Sequence, residues 1–143
     1  MESKRTKIMV FGTFDGLHEG HMDFFRQAKA LAESPSLTVS IARDVNVIRI
    51  KGVRPLLKEE ERHDLIEKSG LADRVVLGEE NDYISHIARE DPDIIALGYD
   101  QSDYVEGLEE KLRANSIKAE IVRLKPYKEN IFKNSLLRKQ TGI

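Results

Sequence analysis

Short apolar runs alternate along the chain with longer segments in which apolar residues recur at helical spacing. The run IMVF at 8–11 is typical of a buried strand. Between 21 and 34 the apolar residues lie three or four positions apart, which predicts a helix that ends before Pro35. Gly70 is placed to cap another helix at its C-terminus. The pattern predicts strands at 7–11, 37–42, 74–77, 94–97 and 119–124, helices at 21–34, 58–69, 83–90, 104–115 and 134–140, and a basic loop that ends at Arg54 and Pro55.

Strict alternation of strands and helices predicts an α/β fold. We expect one Rossmann-like domain over residues 1–143, with a parallel five-stranded sheet and helices on both faces. In such sheets, ligands bind beyond the carboxyl ends of the strands, where the strand order reverses. With the order 3-2-1-4-5, the segments 12–21 and 98–103 would flank one crevice.

Composition narrows the class of protein. A hydrophobic content of 40% beside 34% charged residues is typical of a soluble globular domain. No apolar run approaches the ~20 residues that span a bilayer. The first seven residues, MESKRTK, lack the apolar segment of a secretory signal. We therefore expect a cytoplasmic protein with no membrane partner.

The absence of cysteine and the net charge exclude further classes of site and of protein. The chain has no cysteine, which excludes disulfides, a thiolate nucleophile and zinc sites built on sulfur. A net charge of −2 argues against a general nucleic-acid binder. From Arg123 onward there are nevertheless six basic residues and one acid, Glu129. This end of the chain is either a solvated tail or a surface that faces a polyanion.

The strongest candidate for chemistry is the segment GTFDGLHEGH at 12–21. Its glycine spacing matches neither the G-x-G-x-x-G fingerprint nor a G-K-[S/T] phosphate loop. His18 lies at the predicted strand-to-helix turn and His21 in the first helical turn. Helix N-termini attract phosphate, and Gly20 would let an anion approach the backbone closely. Imidazole N–H groups there could stabilise a pentacoordinate phosphorus.

Other interpretations of the histidines stay open at this point. One interpretation is a glycine turn in which the two histidines are incidental. A transition-metal site is another, because histidines three positions apart can share a helix face, but His18 precedes the helix and no third ligand has an obvious spacing. His63 and His86 lie within predicted helices and are interpreted as structural.

Three segments together carry a family resemblance. GTFDGLHEGH resembles the signature of the nucleotidyltransferase superfamily that is marked by the H-x-G-H motif. KGVRPLLKEEER at 51–62 resembles that superfamily's basic loop and E-x-R helix, and KNSLLRK at 133–139 resembles its closing hydroxyl-rich motif. The similarity covers nearly the whole chain. The segments ARDVNVIRIKGVRP, LGYDQ and VRLKPYK resemble the archaeal FAD synthases within it.

The resemblance implies attack by a substrate phosphate on the α-phosphorus of a nucleoside triphosphate, with loss of pyrophosphate. For an FAD synthase, ATP and FMN would give FAD. Mg²⁺ is expected with the triphosphate, and family members often form homodimers. Two alternatives stay open: a cytidylyltransferase acting on a polyol phosphate such as glycerol 3-phosphate, and a nucleotide-binding module without catalysis.

The resemblance also implies site residues. It assigns catalysis to His18, His21 and Lys51. Asp15 could orient the turn or help to hold a metal, although no residue is predicted as a definite metal ligand. Arg54 and Arg62 could hold phosphate oxygens or serve the structure. Together with the two histidines, the residues expected to bind the nucleotide are Thr13, Phe14, Glu19, Gly20, Asp100, Tyr127 and Ser135.

Overall fold

Parallel strands form the centre of the computed structural model, which describes residues 4–102 and 105–127. The five strands found there pair in the order β3-β2-β1-β4-β5, and every pairing is parallel. This is the order for which the segments 12–21 and 98–103 were expected to flank one crevice, and the strand sequence reverses between β1 and β4. The strands are β1 Thr6–Gly12, β2 Pro35–Ile41, β3 Arg74–Leu77, β4 Ile94–Leu97 and β5 Glu120–Arg123.

Helices cover both faces of the sheet, as predicted. Side chains on a strand alternate between faces, so Ile8 and Val10 of β1 pack with α1 and α3, whereas Met9 packs with α4 and α5. Each face thereby has its own buried apolar cluster. The helices in the described residues are α1 Glu19–Lys29, α2 Asp44–Lys51, α3 Glu59–Ser69, α4 Tyr83–Glu90 and α5 Leu108–Ala114.

Most element bounds agree with the pattern, and the differences have local causes. The bounds of β3, α4 and β4 are the predicted ones. Helix α1 ends earlier than expected, at Lys29, because the chain must turn before Pro35 begins β2. Helix α5 begins later, after Gly107 in the left-handed conformation. The helix predicted at 134–140 lies outside the described residues.

The prediction of a basic loop after β2 was wrong, because this segment contains α2. Its run of β-branched residues has low helix propensity, which hid the helix in the sequence. Contacts from elsewhere stabilise it. The backbone N–H of Asp44 donates to Glu59 Oε1 at 2.8 Å, and Gly52 ends the helix with a φ of 77°.

Membrane insertion finds no support in the helices of the described ranges. None of them is both long and apolar enough to cross a bilayer. The longest, α1 and α3, have 11 residues each.

Candidate active site

The turn after β1 and the loop after β4 lie side by side at the carboxyl end of the sheet. Gln101 connects them, since its Nε2 donates to the Phe11 carbonyl at 3.4 Å and its Oε1 accepts from the Gly98 N–H at 3.2 Å. Arg123 of β5 holds the same loop by donating to the carbonyls of Gly98 and Gln101 at 2.7 and 2.6 Å. The predicted crevice therefore exists at the point of strand reversal.

His18 and His21 form a reciprocal cap at the start of α1. The Gly20 N–H donates to His18 Nδ1 at 3.1 Å, and the His18 N–H donates to His21 Nδ1 at 3.4 Å. The two rings stack with their centroids 3.7 Å apart. This is the arrangement of a capping box, with imidazoles in place of the usual hydroxyl and carboxylate.

The cap fixes the tautomer and the charge of both rings. A nitrogen that accepts an N–H carries no proton, so each neutral imidazole holds its proton on Nε2. Burial and the nearby His18 lower the pKa of His21 to about 4, although a backbone hydrogen bond at Gly16 acts in the opposite direction. Burial also lowers the pKa of His18. At neutral pH both rings are therefore neutral, with the proton of each on Nε2.

Phe14 anchors the turn that carries the histidines. Its side chain is buried in the core, and its ring meets the His21 ring edge to face at 5.3 Å. Its backbone has a φ of 52°, a strained conformation for a non-glycine residue. Gly12 makes room for the ring, because a Cβ there would lie 2.7 Å from two of its atoms. Phe14 thus shapes the turn from beneath.

Three predicted nucleotide-binding residues, Glu19, Gly20 and Tyr127, make hydrogen bonds within the protein. The Gly20 N–H is taken by His18, so it is not one of the free amides expected for an anion. Glu19 accepts a hydrogen bond from the Tyr127 hydroxyl at 2.7 Å. Gln27 reinforces this link, since it donates to the Lys125 carbonyl and accepts from the Lys125 N–H. Tyr127 therefore lies beside the first turn of α1.

Lys51 reaches the turn from the C-terminus of α2. Its Nζ lies 3.4 Å from Thr13 Oγ1, which brings a cation to the edge of the histidine turn. Arg54 is exposed in the loop that follows, and Asp100 is exposed after β4. The remaining predicted residue, Ser135, lies outside the described residues.

Arg62 cannot contact a phosphate, which corrects one of its two expected roles. Its side chain is fully buried, with 0% exposure. It donates to the Leu57, Thr13 and Ala42 carbonyls at 2.8–3.0 Å. It also pairs with Asp44 at 2.6 Å. Arg62 therefore joins α3 to the turn after β1 and the end of β2.

Asp15 orients the loop between α2 and α3. Its two carboxylate oxygens accept the backbone N–H groups of Leu56 and Leu57 at 2.6 and 2.7 Å. Of the two roles expected from the sequence, this arrangement favours positioning over metal binding. Both oxygens already serve the backbone.

A largely apolar cavity of about 210 Å³ lies beside the histidine turn. Thr13 and Lys51 line it, so it adjoins the site directly. Sequence reasoning missed this feature, because its walls come from five distant segments. Its apolar lining includes Phe11, Val47, Ile50, Tyr83, Ile87, Leu97, Val105 and Leu108.

Three buried polar side chains belong to the cavity wall. Ser40 Oγ and His86 Nε2 lie 2.8 Å apart, in agreement with a structural role for His86, and burial lowers the pKa of that histidine. Asn46 donates from Nδ2 to the Glu79 carbonyl at 2.9 Å. The sequence pattern gave no signal for Ser40 or Asn46.

Metal binding by the histidine pair finds no support in the described ranges. One group of three candidate ligands lies close enough there to share an ion, His63, Asp64 and Glu67, and it includes neither His18 nor His21. Both ring nitrogens of His63 already have partners, in the Asp64 carboxylate and the Val75 carbonyl.

Comparison with known proteins finds similarity to archaeal proteins named FAD synthase. The chain is 42% identical over 124 residues to the FAD synthase of Methanosarcina barkeri, which covers 87% of this chain and 86% of that protein. It is 38% identical over 136 residues to the FAD synthase of Thermococcus sibiricus, at 94% and 90% coverage.

Solved structures share the fold. A lipopolysaccharide core biosynthesis protein from Thermoplasma volcanium superimposes with a TM-score of 0.79 and 35% identity, covering 87% of this chain and all of that one. A pantoate-beta-alanine ligase from Francisella tularensis, at 16% identity and a TM-score of 0.55, shares the fold alone. The family model described as cytidylyltransferase-like matches residues 9–139. The chain therefore belongs to the cytidylyltransferase-like family.

Proposed function

We propose that this protein is an FMN adenylyltransferase, an FAD synthase that transfers AMP from MgATP to FMN and releases pyrophosphate. The observation that carries the proposal is the His18–His21 pair, two neutral imidazoles that carry their protons on Nε2 at a helix N-terminus. Similarity to proteins named FAD synthase, at about 40% identity over most of the chain, supports the choice of substrates.

The reaction requires positioning and stabilisation of charge. A phosphate oxygen of FMN attacks the α-phosphorus of ATP, and the bond from that phosphorus to the β-phosphate bridging oxygen breaks. The bonding electrons leave with pyrophosphate. His18 and His21 donate from Nε2 to the α-phosphate oxygens, whose charge grows in the transition state. Because the rings are neutral, they act as hydrogen-bond donors and need to transfer no proton.

Lys51 supplies the positive charge of the site. Its ammonium group lies near Thr13, between the histidine turn and the cavity that both residues line. A cation there neutralises phosphate oxygens on substrates that approach from either side. Asp15 and Arg62 hold the loop and the turn that this geometry needs.

Mg²⁺ enters as part of the nucleotide substrate. Asp15 serves backbone amides and Glu19 accepts from Tyr127, so neither carboxylate is set aside for an ion. Mg²⁺ commonly binds substrate phosphates and water with few protein ligands. The site fits an ion that the triphosphate carries with it.

The cavity favours FMN over a polyol phosphate as the acceptor. Its lining includes Phe11, Tyr83 and Leu97, which suit a flat aromatic ring. Glycerol 3-phosphate has no comparable apolar surface to bury against these residues. A cytidylyltransferase acting on a polyol phosphate is therefore the weaker candidate. Homodimerisation and a cytoplasmic location stay predictions.

The direct test crosses ATP and CTP with FMN and glycerol 3-phosphate, in the presence of Mg²⁺, and measures pyrophosphate release. We expect turnover with ATP and FMN only, with FAD as the second product. Turnover with CTP and glycerol 3-phosphate would contradict the proposed substrates. Nucleotide binding without turnover in any combination would instead favour the non-catalytic module.

A further inference from the structure

The side chain of Asn46 has one half of its carboxamide fixed and the other half unused. Its Nδ2 donates to the Glu79 carbonyl at 2.9 Å, which sets the orientation of the amide, because the reverse orientation would face two oxygens toward each other. Its Oδ1 is buried and accepts no hydrogen bond from any residue in the described ranges. The residue is only 6% exposed.

A buried carbonyl oxygen without a donor costs stability and calls for an explanation. No other side-chain oxygen or nitrogen in the described part of the chain is buried without a partner. Ser40 and His86, the neighbouring polar residues of the cavity wall, satisfy each other at 2.8 Å. The unmet acceptor of the wall is therefore Asn46 Oδ1.

Position connects this acceptor to a ligand. Asn46 lines the same cavity as Thr13 and Lys51, which lie at the edge of the histidine turn. Around it the wall is largely apolar, with Val47 and Ile50 on the same helix. An apolar surface beside an unpaired buried acceptor suits a flat ring that carries an N–H group on its edge.

Resting on the proposed function, the following inference deepens it. We propose that Asn46 Oδ1 accepts the imide N–H of the flavin ring of FMN, which makes Asn46 a specificity-determining residue for the acceptor substrate. The imide N–H is the ring's hydrogen-bond donor between two carbonyls, and a buried acceptor left unpaired penalises any ring that lacks such a donor. Glu79 holds the amide in the accepting orientation through its backbone carbonyl.

The test compares FMN with N3-methyl-FMN, in which a methyl group replaces the imide hydrogen. The wild type should show a KM for N3-methyl-FMN roughly tenfold or more above that for FMN, because one buried hydrogen bond is lost. Asn46→Ala should raise the KM for FMN by a similar factor. The KM values of this variant for the two flavins should then agree within about threefold, and its KM for ATP should stay near the wild-type value.

Asn115→Ala is the matched control. Asn115 also donates from Nδ2 to a backbone carbonyl, that of Lys111 at 2.8 Å, but it lies at the exposed end of α5. This variant should discriminate between the two flavins as the wild type does.

Three outcomes would overturn the inference. Equal use of both flavins by the wild type is decisive even if Asn46→Ala fails to fold. Undiminished discrimination in Asn46→Ala would show that another group reads the imide. If the wild type forms no FAD from FMN at all, the proposed function fails and the inference falls with it, and the absence of FAD distinguishes this outcome from the other two.

Discussion

His18 and His21 shape the turn that carries them through their Nδ1 atoms. Nδ1 of each ring caps the first turn of α1, and Nε2 carries the proton. The spacing of the two histidines follows from this division, because a reciprocal cap needs its partners three positions apart. The H-x-G-H motif therefore builds the turn and, in the proposed function, supplies its hydrogen-bond donors.

The lowered pKa of His21 predicts that the protein becomes less stable as the pH falls. Folding lowers this pKa from 6.5 to about 4, chiefly through burial. Between these values the unfolded chain binds the proton more readily, so the free energy of unfolding decreases as the pH falls through this window and is regained as the pH rises. We expect the urea concentration at the unfolding midpoint of the wild type to be lower at about pH 4.5 than at about pH 7.

His21→Gln supplies the comparison. The glutamine carbonyl can still accept the His18 N–H, but the side chain does not titrate. The fall in the urea midpoint should therefore be smaller in this variant. The same pH dependence in both proteins would contradict the neutral, buried state assigned to His21.

At the residue scale the sequence identified the histidine pair but not the side chains that surround it. The motif and its glycines identified the turn, because local spacing carries that signal. The roles of Arg62 and Asn46 depend on partners such as Thr13 and Glu79, which are 49 and 33 residues away in the chain. No local pattern reports such pairings.

The buried guanidinium of Arg62 joins the elements around the site. Arg62 of α3 bonds to the turn after β1, to the end of β2, and to Asp44 at the start of α2. Helix α2 in turn carries Lys51 to the histidine turn. The position of Lys51, the lysine proposed to act in catalysis, therefore depends on a buried residue of α3.

Arg62→Met tests this connection. Loss of the buried guanidinium leaves three carbonyls and the Asp44 carboxylate without their donor, and we expect the free energy of unfolding to fall by about 3–5 kcal/mol. Arg113→Met is the control, because Arg113 forms an exposed pair with Glu109 on α5, and it should cost about 0.5 kcal/mol or less. Equal losses for the two variants, measured by urea denaturation, would rule out the linking role.

Helix α2 shows where pattern reading fails at the scale of elements. Its apolar residues gave no clear helical face, and several are exposed, including Val45 and Ile48. Tertiary contacts with α3 override a weak local propensity there. By contrast, β3, α4 and β4 are bounded by local signals, such as the Asp82 N-cap, and their bounds were predicted correctly.

Across the whole molecule, strand order decides what meets at the site. The reversal between β1 and β4 brings the histidine turn beside the loop after β4. Alternation of elements predicted the parallel sheet, and the assumed strand order predicted this meeting. The cavity was not predictable in this way, because α2, α4 and the end of β1 all contribute to its wall. Its shape emerges only when these elements pack.

The account rests most directly on the rate of FAD formation from MgATP and FMN by the wild type and by His18→Asn. Asparagine is a good N-cap, so the variant keeps the bond to Gly20 and should keep its melting temperature within a few degrees. It lacks the Nε2–H donor, and we expect kcat to fall by about 10²–10³-fold. A folded His18→Asn variant that makes FAD at nearly the wild-type rate, or a wild type that makes none, would contradict the account.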